Sequence, residues 1–239
     1  MRVLTAVAIG TLLLFALWMG FSPGVASAQE ISAAGPKAEN LPPDIRADSL
    51  SRMPRPKRED FTTDEDRQSF DRVVISEPSL KDKDGNLRAT GTRAWIPQLA
   101  EEYRKLDGMV HTIDGLDRKY MELACLVAIR ESNSPAEWGG HSMNGTKLLG
   151  AKTVEVVRNE DDPSVLDDKK SAVLIQFGRE LLHEEKVSSK TFAEMEQAFG
   201  RRTTLHVTLL MGYYHQNAML NRAFDQHVDV EKLQNYPPW

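Results

Sequence analysis

Apolar residues recur at three- and four-residue spacing through most of the chain beyond Pro97, and this period restricts the possible folds more than any other feature. The spacing places the apolar side chains on one face of a helix, and that face must be buried against other helices. The strict alternation typical of a half-buried strand is not found in this region. The sequence therefore predicts an all-α fold.

Capping and helix-breaking residues set the limits of the predicted helices. Thr62 and Glu65 form a capping box, which predicts that the first helix begins at Thr62. Pro97 suits the first turn of the second helix, and Gly150 ends a later one. Other helices are predicted around 116–127, 134–149, 166–184, 191–199 and 202–226, with polar loops at 81–91 and 161–164.

The last predicted helix is apolar on nearly every side from Leu205 to Tyr214. A helix of this kind lies in the centre of a bundle or in the interface of an oligomer. The sequence alone leaves both locations open.

The first 28 residues have the pattern of an export signal. Arg2 precedes an apolar run at 3–21, which is followed by Ser22-Pro23-Gly24 and by Ala26-Ser27-Ala28, the small-x-small form that signal peptidase accepts. We therefore expect an exported protein, periplasmic or secreted, whose mature chain begins at Gln29. The alternative is an uncleaved membrane anchor, because the apolar run is long for a signal peptide. No later stretch is apolar enough to span a bilayer, so we expect no stable membrane insertion after cleavage.

The segment after the signal contains five prolines between residues 29 and 58 and few large apolar residues. Such a segment is predicted to be an extended arm, ordered only where it lies on another part of the protein. The predicted organisation is a signal peptide (1–28), an arm (29–61), an N-terminal helix and loop (62–96), a helical domain (97–227) and a C-terminal tail (228–239).

Charge and cysteine content exclude two classes of function. A formal net charge of −5 provides no basic surface for nucleic acid. Cys125 is the single cysteine of the sequence, so the chain forms no internal disulfide and has no dithiol active site. Because Cys125 falls on an apolar helix stripe, we expect it to be an unreactive core residue.

Glu122 lies on the same stripe, among Cys125, Leu126 and Ile129. A carboxylate in apolar surroundings needs a partner or acquires a raised pKa. The simplest interpretation is a structural salt bridge to an arginine, and the alternative is a functional carboxylate.

A second candidate lies in the segment Ser134-Pro-Ala-Glu137-Trp138-Gly-Gly-His141. Glu137 and His141 are four residues apart and share a helix face, so they form either an acid–base couple or a stabilising surface pair. The hydroxyl of Ser134 suits a helix cap. The two glycines leave open backbone beside His141, which favours a pocket or a close helix contact. Trp138 is interpreted as a packing residue, with a substrate platform as the alternative.

Further candidates are less distinctive. On the last helix, Tyr213, Tyr214, His215 and Asn217 are placed to line a pocket, although the two tyrosines suit the core equally well. Glu122, Glu137 and His141 are of suitable type for a metal, but the motif has no second histidine, and no metal or other cofactor is predicted. The remaining histidines, among them His111 and His183, show no functional pattern.

The spacing of Glu122, Ser134, Glu137 and His141 resembles the active-site helix pair of the carboxymuconolactone decarboxylase family, within the alkyl-hydroperoxidase D-like superfamily. In peroxidase members of that superfamily the same frame reads Glu, then Cys-x-x-Cys-x-x-x-His. Ser134 and Glu137 stand at the two thiol positions, Glu122 matches the proton-relay glutamate and His141 matches the histidine.

The likeness extends from Pro97 to His227. It includes Gly150 and the stretches LLHEEKVSSKTFAEMEQAFG (181–200) and LLMGYYHQNAMLNRAFDQH (209–227). It implies an alkyl-hydroperoxidase D-like helical bundle with an extended N-terminal arm, assembled as a trimer or hexamer. Because the thiols are absent, it points away from a dithiol peroxidase and towards the lactone-decarboxylase branch.

The resemblance therefore implies a cofactor-independent acid–base lyase for a small organic acid or lactone. Its catalytic residues would be Glu122, Glu137 and His141, and its substrate-binding residues would be Ser134, Trp138, Tyr214 and Asn217. The family's lactone decarboxylases act on a cytoplasmic intermediate, which an export signal does not fit. The alternative is a non-catalytic helical binding or assembly protein that retains the fold.

Overall fold

The computed structural model describes residues 41–76, 89–112 and 115–227 of the chain. Within these ranges lie helices α1 (Asp64–Ser76), α2 (Pro97–Val110), α3 (Arg118–Glu131), α4 (Pro135–Leu149), α5 (Ala151–Arg158), α6 (Lys169–His183), α7 (Ser189–Phe199) and α8 (Arg201–Ala223), with 3-10 turns at Arg58–Asp60, Ala89–Trp95 and Pro163–Val165. The described part of the chain has no β-strand beyond an isolated bridge between Arg46 and Ser51. The predicted all-α class is confirmed.

The central helix of the bundle is α3, which packs against α4, α6 and α8. Every residue from Leu123 to Ile129 is at most 1% exposed. This stretch has no charged residue, so α3 can be covered on all sides without burying an unpaired charge. Glu122, at the edge of the stretch, is the first charged group that the surrounding helices must accommodate.

Two glycines let the neighbouring helices come close to α3. A methyl group at Gly145 of α4 would lie 2.5 Å from Cδ1 of Leu126, and one at Gly178 of α6 would lie 2.4 Å from Cγ1 of Val127. The same two helices, α3 and α4, carry Glu122 and His141, whose side chains are in contact at 2.7 Å.

Helix α8 has one buried and one exposed side, so it is not enclosed in the bundle centre, which was one of the two locations that the sequence left open. It buries Leu210, Met211 and Tyr214 against the core but leaves Leu205 61% and Leu209 55% exposed. Its apolar residues are spread around the whole circumference, so composition does not reveal which side the bundle covers. The exposed side leaves the second predicted location, an oligomer interface, open.

Several helix limits differ from the prediction because another residue provides the cap. Helix α1 begins at Asp64 and not at Thr62, since the hydroxyl of Thr63 accepts from the backbone N–H of Asp66 (3.1 Å). Helix α7 is capped by Ser188, whose hydroxyl accepts from the N–H of Thr191. Helix α6 likewise starts at Lys169, after Asp168 as its cap.

Helix α5 was not predicted. Gly150 ends α4 as expected, but it also starts α5, with a φ of 84° that favours glycine. Gly200 joins α7 to α8 in the same way, with φ 81° and ψ 157°. In both places one residue turns the chain between two consecutive helices.

The described part of the arm is ordered against the end of α8. The N–H of Arg52 donates to the carbonyl of Phe224 (2.8 Å), and the N–H of His227 donates to the carbonyl of Leu50 (2.8 Å). The indole of Trp95 donates to the carbonyl of Pro54 (2.8 Å). The arm is therefore held by contacts with other parts of the chain, as its composition requires.

Three predictions fall on residues outside the described ranges: the signal peptide (1–28), the C-terminal tail (228–239) and most of the loop at 81–91. Within the described ranges, none of the helices combines the length and apolar character needed to cross a membrane.

The close packing of α6 on α3 gives a stability prediction. Gly178→Ala should lower the free energy of unfolding by about 1–3 kcal/mol, because the new methyl group overlaps Val127 and Met211. Gly212→Ala in α8 is the matched control. It meets no atom within 4 Å, so its helix propensity should raise stability by about 0.5–1 kcal/mol. Urea unfolding of both variants measures the difference, and equal effects would contradict the packing described here.

Candidate active site

Three helices bring the predicted site residues to one place. Helix α3 contributes Glu122, α4 with its N-cap Ser134 contributes Glu137 and His141, and α8 contributes Tyr214. Because α4 and α8 both pack on α3, side chains far apart in the sequence come within hydrogen-bonding distance.

Glu122 pairs with a histidine. Its Oε1 atom lies 2.7 Å from Nδ1 of His141, and the two side chains are 6% and 25% exposed. The interpretation of Glu122 as the partner of an arginine is therefore wrong for the described residues. A buried carboxylate fixes the imidazole's orientation and leaves its other nitrogen for a further partner.

A buried carboxylate that pairs with an arginine is found instead at Glu131, the last residue of α3. Its buried carboxylate contacts Nε of Arg179 at 3.2 Å and Nε2 of His183 at 2.8 Å. Arg179 also donates to the carbonyls of Val156 and Asp161. This cluster connects α6 with Glu131 of α3 and with the end of α5, and its ion pair is structural.

A hydrogen-bonded chain continues from His141 across α8 to α2. The hydroxyl of Tyr214 lies 3.0 Å from Nε2 of His141 and 2.9 Å from Nε2 of His111. Nδ1 of His111 in turn lies 3.1 Å from a carboxylate oxygen of Asp107 and 2.8 Å from its carbonyl oxygen. The chain thus has a carboxylate at each end and a phenol at its centre.

The proton count of this chain is constrained. With Glu122 and Asp107 ionised, Nδ1 of each histidine faces only acceptors and must donate. Tyr214 has one proton and can donate to only one of the two Nε2 atoms that face it. All bonds are made when one histidine is an imidazolium that donates to the phenol oxygen, while the phenol donates to the other histidine.

His111 is the imidazole better placed to hold the extra proton. Its hydrogen bond to Asp107 raises the pKa of His111, and the same bond lowers the pKa of Asp107, while burial opposes both shifts. Burial raises the pKa of Tyr214, which therefore keeps its proton. A concerted shift through Tyr214 would move the positive charge from His111 to His141 without leaving any bond unmade.

Cys125 lies beside this chain but adds no nucleophile. The thiol is 1% exposed, and burial raises its pKa far above the ordinary range. Its hydrogen bond with Tyr214 is its link to the site. A neutral, covered thiol is unreactive, as expected from its place on the stripe.

Glu137 forms a second polar group on the same helix face. Its two oxygens accept from Ser134 (3.0 Å) and from Nδ2 of Asn217 (3.0 Å), and Asn221 donates to the hydroxyl of Ser134 (3.2 Å). Burial raises the pKa of Glu137 against these hydrogen bonds. The expected direct couple with His141 is thus replaced by separate hydrogen-bond partners, and the two groups interact through their charges.

Arg93, from the 3-10 turn before α2, extends this second group. Its guanidinium covers the ring of Tyr103 at 4.2 Å and donates through Nη2 to Oδ1 of Asn217. The Nε–H of Arg93 is buried without a hydrogen-bond partner. A buried donor left unpaired costs about 1–3 kcal/mol, so this atom requires an explanation.

The other predicted pocket residues have different places. Trp138 is 1% exposed and belongs to the core, which fits its interpretation as a packing residue and not its assignment to substrate binding. His215 contacts the hydroxyl of Ser132 at 2.9 Å. The ring of Tyr213 packs near Tyr103 and His111, so it is a wall of the site.

The sequence interpretation missed Arg93, Asp107, His111 and Asn221. Asp107 and His111 are four residues apart, so the same i,i+4 rule that singled out Glu137 and His141 would have found them. Arg93 and Asn221 carry no such signal, because their partners lie on distant parts of the chain.

No group of three or more His, Cys, Asp and Glu side chains in the described ranges is arranged to hold a metal ion. Searches against protein-family models and curated proteins find no match to this chain. The resemblance given by the Glu122–His141 spacing therefore stays a prediction.

The pair of Asp107 and His111 predicts a pH-dependent stability. The raised pKa of His111 stabilises the fold below its unfolded pKa of about 6.5, and this contribution is lost as pH rises through the folded pKa. The lowered pKa of Asp107 stabilises the fold above about pH 3.9 and is lost as pH falls through the folded value. Asp107→Asn should therefore destabilise the protein most between about pH 4 and 6.5 and progressively less at higher pH.

Urea unfolding at about pH 5.5 and pH 9 measures this difference. Asp71→Asn is the control, since it removes an exposed ion pair with Arg58 (3.0 Å) that contains no histidine. A loss for Asp107→Asn that is the same at both pH values would show that the pair holds no linked proton.

Proposed function

We propose that this protein is an exported, cofactor-independent acid–base lyase of the carboxymuconolactone decarboxylase type, acting on a small organic acid or lactone. The observation that supports the proposal most is the hydrogen-bonded chain that runs from Glu122 through His141, Tyr214 and His111 to Asp107. The carboxyl of Glu137 lies on the same face of α4 as His141. A structural salt bridge needs one partner, whereas this arrangement links two imidazoles through one phenol and supplies a proton path.

The chemistry that these groups suit is protonation of a carbanion or enolate. Cleavage of the bond to a carboxylate releases CO₂ and leaves the electron pair in a conjugated enolate. The enolate carbon then takes a proton from the carboxyl of Glu137, which is left as a carboxylate and regains a proton from solvent. The chain through Tyr214 can move positive charge from His111 to His141, where it stabilises the anion that develops on the substrate. Because burial raises the pKa of Glu137, this carboxyl keeps its proton to higher pH than an exposed glutamate and is the better acid near neutrality.

Cys125 takes no part in this reaction. A single buried thiol with a raised pKa supports no dithiol cycle. The proposal therefore places the protein apart from the peroxidases that share the predicted frame.

Three glutamine variants test the proposal. His141→Gln and Glu137→Gln should each lower turnover by about 10²–10⁴-fold and remove its change between about pH 5 and 8. Glu137→Gln should cost little stability, because glutamine keeps the size and helix propensity of the side chain. His141→Gln and Glu122→Gln should each lower stability, because each removes one partner of the buried hydrogen bond between Glu122 and His141 (2.7 Å). Small carboxylic acids and lactones found by thermal-shift screening serve as ligands and substrates.

The double variant at 137 and 141 should be little worse than either single variant, as expected for groups that act as a unit. Glu155→Gln is the control, since Glu155 lies outside the network and its partner among the described residues is Arg158 at 3.3 Å. If all three site variants bind and turn over the ligands like the parent protein, the network is structural and the proposal is wrong.

A non-catalytic binding or assembly protein is the second candidate, and the exposed apolar face of α8 favours it. Leu205 and Leu209 are exposed, as is Met109 at the end of α2 that His206 contacts (3.1 Å). Apolar surface of this kind is typical of an interface between proteins. It is also compatible with the enzyme, because the family resemblance implies a homo-oligomer.

We predict that the protein is a homo-oligomer, trimeric or hexameric, at micromolar concentration. Leu209→Glu should shift it to smaller species, because a charge buried in the interface has no partner. Ile75→Glu on α1, also strongly exposed, should leave the assembly unchanged. Light scattering measures both variants, and a monomeric parent protein would contradict the prediction.

A further inference from the structure

We propose that Arg93 binds the carboxylate of the ligand, so that the site selects small organic anions over their uncharged counterparts. This inference rests on the proposed function only for the location of the site. It adds a binding residue that neither the motif nor the proton chain contains.

The first observation is the charge of Arg93. Among the residues that the structure describes, no carboxylate oxygen lies within ion-pair distance of its guanidinium. The nearest connected carboxyl is that of Glu137, which Arg93 reaches only through the amide of Asn217. A partly buried cation without an anion is costly, and a bound carboxylate would supply the missing charge.

The second observation is that the guanidinium is already oriented. Tyr103 lies against its face at 4.2 Å, and Asn217 accepts from Nη2. The ring of Tyr213 is 5.9 Å away and encloses the same region. An arginine held by stacking and by one hydrogen bond loses little freedom on binding and offers its remaining N–H groups in a fixed fork.

The third observation is the hydrogen-bond count. The buried Nε–H of Arg93 has no acceptor, while every polar oxygen of Glu137 and Asn217 has a donor. Within the described part of the chain, Nε–H of Arg93 thus lacks an acceptor and its guanidinium lacks a negatively charged partner. A carboxylate provides both, whereas an amide or ester provides an acceptor without charge.

The arrangement also places the ligand relative to the acid–base groups. Asn217 lies between Arg93 and Glu137, so a carboxylate on Arg93 is one side chain away from the carboxyl whose pKa burial raises. The rest of the ligand is then directed to the helix face that carries Glu137 and His141. In a substrate that loses CO₂, the leaving carboxylate or a second carboxylate would be the group held by Arg93.

Matched acid and amide pairs test the proposal without any need for turnover. The probes are acetate and acetamide, crotonate and crotonamide, and benzoate and benzamide, measured by calorimetry or ligand-observed NMR. For at least one pair the parent protein should bind the acid about tenfold or more tightly than the amide. Arg93→Gln should remove that preference, and Arg93→Lys should retain only part of it, because lysine keeps the charge but not the fork.

Arg72→Gln is the control for the loss of one positive charge, since Arg72 is exposed and pairs with Glu101 at 2.9 Å. It should leave the preference unchanged. Thermal unfolding of each variant shows whether it folds. If Arg93→Gln does not fold, Arg93→Lys decides the matter, and an unchanged preference in that variant overturns the proposal.

His141→Gln separates this inference from the proposed function. It should keep the acid preference even where it removes turnover. A preference that depends on Arg93 in a protein that turns over none of the acids would overturn the proposed function and keep the binding site. The proposal fails if the parent protein prefers no acid over its amide, or if Arg93→Gln retains the preference.

Discussion

The structure depends on how the carboxylate of Glu122 is buried. This group stands at the edge of the apolar stretch of α3, where a charge without a partner would cost several kcal/mol. Its partner comes from another helix, and α4 comes close enough because Gly145 has no side chain to oppose Leu126. The two helices that pack closely at Gly145 and Leu126 are also the helices that bring His141 to Glu122, so packing and site geometry are connected.

The chain beyond His141 links two further helices to this contact. Tyr214 is buried on α8, and its hydroxyl has an imidazole on each side, of which His111 belongs to α2. One phenol proton cannot satisfy two bare nitrogens, so with both end carboxylates ionised every hydrogen bond of the network is made only when one imidazole carries an additional proton. The raised pKa of His111 is consistent with that requirement and follows mainly from its bond to Asp107.

Local patterns in the sequence predicted much of the fold. Helical spacing and capping residues predicted the all-α class and most of the helices. Glu122 was selected because it is a carboxylate on an apolar stripe, and His141 because it shares a helix face with Glu137. What failed depended on contacts between distant segments. The exposed side of α8, for example, has the same composition as its buried side, and only the packing of α3 decides between them. Arg93 could not be predicted as a site residue for the same reason, since its partners Tyr103 and Asn217 lie on two different helices.

The two polar groups of the site differ in charge. One balances its negative charge within the protein, and the other contains a positive charge. At one end Glu122 is buried with His141, so negative charge is matched within the protein. At the other end Arg93 is positive, and burial raises the pKa of Glu137, the carboxyl that is connected to it through Asn217. Ionised Glu137 would bring a negative charge nearer to Arg93, but the two side chains are connected only through the amide of Asn217. Because burial opposes the ionisation of Glu137, a bound carboxylate is the better source of negative charge for the anion site that we propose.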